Sequence, residues 1–133
     1  MRHLALAVML AVAPAGTFAA GEGADGAPVY FASSSSRLTA EGYLQLRALG
    51  AAMKAQPAMQ LELAGHADAS GSKVMNRDLA RERGEVVREY LASMGIDRRR
   101  LVVKGYGDTQ PVNDNSTLEL RAYNRRVQFR RTE

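Results

Sequence analysis

Two side chains in this sequence ask for partners that their immediate neighbours do not supply. Between about Val74 and Met94 the chain carries Leu79, Val86, Val87, Tyr90, Leu91 and Met94 at helical spacing, with Arg77, Arg81 and Arg88 opposite. Taking about 100° per residue and Leu79 as zero, Val86 falls near about −20°, Tyr90 near about 20°, Met94 near about 60° and Val87 near about 80°. Arg83 falls near about 40°, in the middle of the apolar stripe. A guanidinium cannot shed its charge there, so something anionic is expected to meet it. Asp68, at the end of the preceding strand, is one candidate for a structural ion pair, because buried charges are usually paired. The other reading leaves the two side chains unquenched at one rim, where acid and guanidinium match the ammonium and carboxylate of an amino-acid zwitterion. Such a pair grips without catalysing.

Nothing else in the chain suggests chemistry. There is no cysteine, and of the two histidines one, His3, lies in the leader. His66 has no nucleophile placed beside it and reads as a structural hydrogen-bonding residue rather than a base. Two histidines do not make a metal cluster. No enzyme activity, cofactor or metal is expected.

The elements that must position Asp68 and Arg83 can be read from periodicity and turn residues. Val29-Tyr30-Phe31 is a short β-type run, and Ala32 to Ser36 is a loop of small residues. Thr39 with Glu41 behind it opens a helix in which Leu44, Ala48, Ala51 and Ala55 recur at helical spacing, and Gln56-Pro57 ends it. Met59 to Ala64 alternates apolar with polar, as a half-buried strand does, and delivers Gly65-His66-Ala67-Asp68 at its C-terminal end. The arginine-bearing helix follows and Gly95 closes it. Leu101-Val102-Val103 is a further strand, Gly105 to Asn115 reads as a loop, and Val127 and Phe129 belong to a last strand. Alternating strands and helices imply one sheet with helices packed on it.

The chain has 133 residues, enough for one domain, and 46% of them are hydrophobic, enough to fill one core. Met1-Arg2-His3, the apolar run Leu4 to Val12 and the small residues around Thr17-Phe18-Ala19 have the pattern of a secretory signal over residues 1–19. Residues 20–27 read as a flexible lead and 28–133 as the domain. An exported chain without cysteine relies on packing alone, and it is expected to have neither a lipid nor a transmembrane anchor once the signal is removed. The formal net charge of +4 favours anionic surroundings without naming them.

Gly65-His66-Ala67-Asp68, followed by Gly71, Asn76, Leu79, Arg83, Val86, Tyr90-Leu91, Gly95-Ile96 and Arg100-Leu101, resembles the OmpA-like C-terminal domain family. Gly105-Tyr106-Gly107, Pro111, Asn115, Thr117 and Arg121 to Val127 look like the closing half of the same pattern, and Phe31, Ser36 and Leu38 fit its opening. The resemblance runs from about Val29 to Phe129. It implies an α/β (α+β) two-layer sandwich with about four strands in one mixed sheet and two main helices. It also implies non-covalent, non-catalytic binding of peptidoglycan through the diaminopimelate of the stem peptide. In the family the acid takes the ligand's ammonium and the helix arginine its carboxylate, positions held here by Asp68 and Arg83. Asn76, Arg125 and Ser34 are implied to line the same pocket, although Asn76 and Arg125 have equally good structural roles open to them. The implied setting is the periplasm of a diderm bacterium, with an outer-membrane or cell-wall association and an envelope protein as a further partner.

The sequence departs from the family pattern at three places. Ala67 replaces the usual threonine, residues 32–35 lack the usual aspartates, and Leu120 stands where glycine is usual, so a positive φ there would strain the following loop. These departures leave a second reading, a divergent copy serving as a protein-interaction or secretion-system component without wall binding. Arg98-Arg99-Arg100 and the arginines from Arg125 onward raise nucleic acid as a partner. Export, interleaved acids and an aromatic content of 6% argue against it.

Overall fold

Each of the three α-helices among the described residues is opened by a hydroxyl side chain. In the computed structural model, which describes residues 26–132, Thr39, Ser72 and Thr117 are N-caps whose side chains accept hydrogen bonds from the amides of Gly42, Met75 and Leu120. The order is β1 (Val29–Tyr30), α1 (Ala40–Ala55), β2 (Leu61–His66), α2 (Lys73–Ser93), a 3-10 turn (Arg98–Arg100), β3 (Leu101–Gly107), α3 (Leu118–Asn124) and β4 (Arg126–Arg131). The four strands form one mixed sheet in the order β1-β4-β2-β3. β2 and β3 are parallel, joined through α2, while β4 runs antiparallel to both β1 and β2.

Strand alternation divides the sheet into two faces. Leu61, Leu63 and Gly65, with Leu101, Val103, Val127, Phe129 and Val29, face the helices and meet Leu46, Leu49, Met53, Val87 and Leu91 in the core. Glu62, His66, Tyr106, Arg126 and Arg130 belong to the other face. The chain is therefore a two-layer α/β sandwich with α1 and α2 on one side, as the resemblance implied. The leader and most of the lead (residues 1–25) lie outside the described residues.

Three readings of the elements need correction. The helical repeat Leu44, Ala48, Ala51, Ala55 is the outward face of α1, with Leu44 60% exposed, and the buried face is Leu46, Leu49, Gly50 and Met53. Both sets have helical spacing, but the second carries the larger apolar area, which is the quantity that burial rewards. Gly105 to Gly107 is not loop but the end of β3, where parallel pairing with β2 continues across a register shift after Gly65. Residues 118–124 form a third helix, one too short to show a periodic stripe.

Candidate functional site

Because β2 and β3 are parallel and α2 returns between them, the C-terminal ends of both strands and the first turns of α2 come to one edge of the sheet. A cleft of about 210 Å³ opens there, lined by Ser34, Ala67, Asp68, Ser70, Gly71, Met75, Asn76, Leu79, Arg83 and Arg125. All five residues singled out from the sequence, Asp68, Arg83, Asn76, Arg125 and Ser34, meet in it.

Among the described residues Arg83 is the largest completely buried side chain, and none of their carboxylates holds it. Its Nε donates to the Ser35 carbonyl at 2.8 Å, Nη1 to the His66 carbonyl at 2.9 Å and Nη2 to the Ala32 carbonyl at 3.1 Å. The Phe31 ring lies 5.3 Å from the guanidinium carbon. Within the protein, then, Arg83 is met not by an anion but by three oriented backbone dipoles, two of them from the loop that lacks aspartates. Burial, helped by the charge of Arg125, pushes the Arg83 guanidinium down to about 10, so it stays charged near neutrality.

Asp68 has a different arginine. Its Oδ2 accepts from Arg125 Nη1 at 3.1 Å, and Arg125 Nε donates to the Phe31 carbonyl at 2.8 Å. The structural ion pair proposed for Asp68 with Arg83 is therefore not formed. Its Oδ1 accepts from the Ser70 amide at 2.9 Å and from the Ser70 hydroxyl. Burial opposes ionisation of Asp68, but the bonds from Ser70 and Arg125 outweigh it and hold the carboxyl below its ordinary value. Asn76 is buried and donates through Nδ2 to Asp108 Oδ2 at 3.2 Å and to the Gly71 carbonyl at 3.4 Å. Ser34 sits at φ 54°, at the tip of the turn that supplies two of the carbonyls to Arg83. Ser70 and Asp108 were not singled out from the sequence. The Asp68-x-Ser70 spacing was a signal for Ser70, since an Asp side chain bonds the amide two residues on.

The family departures have local outcomes. Ala67 is buried, with its amide donating to the Gly107 carbonyl at 2.8 Å, and it presents a methyl to the cleft. Leu120 lies within α3 at negative φ and causes no strain. His66 is buried against Tyr106, ring centroids 5.4 Å apart and 14° from parallel. Neither ring nitrogen has a hydrogen-bond partner among the described residues, so its structural role is stacking rather than the hydrogen bonding expected of it. Burial, reinforced by Arg126 and Arg130, pushes its pKa down to about 3.

Residues 30–125 match the OmpA family. Outer membrane porin F of Pseudomonas aeruginosa is 35% identical over 101 residues, which cover 75% of this chain and 29% of that protein. The peptidoglycan-binding protein ArfA of Mycobacterium tuberculosis is 31% identical over 104 residues, 78% of this chain and 32% of that protein. The matched segment thus spans less than a third of either relative. Among solved structures, the cell wall anchor of the T6SS from Pseudomonas aeruginosa superposes with a TM-score of 0.65 at 30% identity, covering 75% of this chain and 72% of that one.

Proposed function

From the premise that this chain belongs to the OmpA family, whose domains are non-catalytic, we propose that it binds peptidoglycan by gripping the free zwitterionic end of diaminopimelate in the cleft at Asp68, Arg83 and Arg125. The observation that carries this reading is the charge arrangement of the cleft, one carboxylate facing two guanidiniums. Asp68 is satisfied in the free protein by Arg125, so an entering ammonium has to share or replace that guanidinium. A ligand carrying only the ammonium leaves Arg125 without compensation. A ligand carrying a neighbouring carboxylate offers Arg125 and Arg83 a new partner. Arg83 uses one hydrogen on each of its three nitrogens for the carbonyls, which leaves two N–H groups for that carboxylate on a side chain that lines the cleft but is covered in the free protein. Binding is then an exchange of ion pairs, with no bond made or broken.

Residues 1–19 act in this reading as a secretory leader, and the mature domain works in the periplasm of a diderm bacterium. Nucleic acid is not its partner. Arg98 and Arg99 are paired with Glu89 and Asp97, and Arg100 is tied to the carbonyls of Met53, Gln56 and Met59.

The test is co-sedimentation of the mature protein with insoluble diaminopimelate-type and lysine-type peptidoglycan, with Asp68→Asn as the variant. Wild type is expected to pellet with the first wall and to bind the second about a hundredfold more weakly, because the lysine stem lacks the carboxylate. Asp68→Asn is expected to remain folded at the assay temperature, with a lowered melting temperature because the pair with Arg125 loses its charge, and to stay in the supernatant. Arg83→Ala is a poor probe, since it also strips three buried carbonyls of their donor. Equal pelleting with both walls sinks the zwitterion mechanism. Wild type remaining in the supernatant favours the second reading, a secretion-system or protein-interaction component, in which the Asp68–Arg125 pair is the resting state of a site without a ligand.

A further inference from the structure

Asp108 follows directly on β3, whose end lies close against α2: a Cβ on Gly107 would stand 3.3 Å from the Arg77 Cα. This brings the Asp108 carboxylate, only 8% exposed, against the first turn of α2. Its Oδ1 accepts from Lys73 Nζ at 3.0 Å and its Oδ2 from Asn76 Nδ2 at 3.2 Å. A carboxylate offers only acceptors, so it admits the Asn76 amide in one orientation; the flipped amide would set oxygen against oxygen. Both hydrogens of the Asn76 amide are then committed, to Asp108 and to the Gly71 carbonyl. The Asn76 Oδ1 meets no donor among the described residues. It lies 3.0 Å from where a Cβ on Gly71 would stand, so Gly71 leaves room for it.

An ammonium has three N–H groups, and Asp68 alone does not satisfy them. Of its roughly four lone-pair sites three are taken, by the Ser70 amide, the Ser70 hydroxyl and Arg125. We propose that Asp108 is a positioning residue of the cleft: it holds Asn76 by the amide nitrogen so that the amide oxygen is presented as a second acceptor for the ligand's ammonium. The assignment rests on the diaminopimelate reading above.

The experiment is calorimetric titration of the mature protein with a soluble muropeptide carrying diaminopimelate, alongside the Asn76 side-chain NH2 resonances of the free protein. Asp108→Ala is expected to weaken binding about tenfold and to shift the two Asn76 amide protons. The double variant Asn76→Asp with Asp108→Ala is expected to recover most of the lost affinity, because a carboxylate at position 76 presents an acceptor in either orientation. A merely structural role for Asp108 predicts no such rescue. Wild-type affinity in Asp108→Ala, unchanged Asn76 amide protons, or a double variant as weak as the single one each overturn the proposal. Absence of binding by wild type removes the reading beneath it and the ligand role of Asn76 with it, whereas the amide shift in the free protein still reports whether Asp108 holds Asn76.

Discussion

Arg83 looked, on the helical wheel, like a charge waiting for a carboxylate, yet the fold meets it with carbonyls from three different residues. One side chain thereby staples the turn after β1 and the end of β2 to α2. Arg83→Met keeps the packing volume but leaves those carbonyls buried and unpaired, and is expected to cost about 3 kcal/mol or more in urea unfolding. His66 makes a second prediction. With its folded pKa near 3 against an ordinary 6.5, the unfolded chain takes up a proton that the folded one refuses. Stability is therefore unaffected by His66 above about pH 7.5, and as pH falls from 6.5 towards 3 it declines by up to about 1.4 kcal/mol per unit. Comparing unfolding free energies at pH 7.5 and 5 checks this, and His66→Phe, which keeps the stack on Tyr106, is expected to remove the difference. Asp68 and Asp108, both held below their ordinary values, lose their stabilising contribution only at lower pH still.

Helix α2 presses on the sheet more closely than its apolar stripe implies. A Cβ at Gly65 would lie 1.9 Å from the Ala80 carbonyl oxygen, and one at Gly105 would lie 2.9 Å from the Arg81 Cα. These contacts are with backbone, which cannot swing away as a side chain can. Gly65→Ala is therefore expected to destabilise the domain by roughly 3 kcal/mol or more and to displace α2 from the cleft, read as a lowered melting temperature together with lost wall binding. The C-terminal end of α2 is better advertised. Gly95 at φ 102°, with its amide bonded to the Ala92 carbonyl and the Ile96 amide to the Leu91 carbonyl, is a Schellman stop with an apolar residue behind it. The start of α1 and the ends of α1 and α2 were readable because caps are local. The buried face of α1 was not, since alanines and leucines at the same spacing compete and only the sheet decides between them.

The last strand in the sequence is an inner strand of the sheet. β4 lies between β1 and β2, so the core stays open until residues 126–131 are in place. Deleting everything after Asn124 is expected to abolish cooperative unfolding, measured by thermal circular dichroism. β4 also ties the cleft to the sheet, since Arg125 immediately precedes it and the Phe31 amide bonds the Arg125 carbonyl at 2.9 Å. Arg100 likewise donates to backbone carbonyls, those of Met53, Gln56 and Met59, and so ties the turn before β3 to the end of α1.

Strand alternation, helix signals and the family resemblance from about Val29 to Phe129 were enough to locate the strands, α1 and α2, and to name the five residues that meet in the cleft. Each depends on local geometry or on a pattern spread along the chain. Which arginine pairs with Asp68 is decided by the antiparallel return of β4, which carries Arg125 across to the end of β2 from a position 57 residues away. That Arg83 is answered by carbonyls depends on the path of a backbone turn, and backbone acceptors are present at every residue and so leave no mark in the sequence. The orientation of Asn76 follows from the parallel register that sets the end of β3 beside α2. A sequence specifies which groups are available, whereas hydrogen-bond partners at ångström range exist only once distant segments have packed.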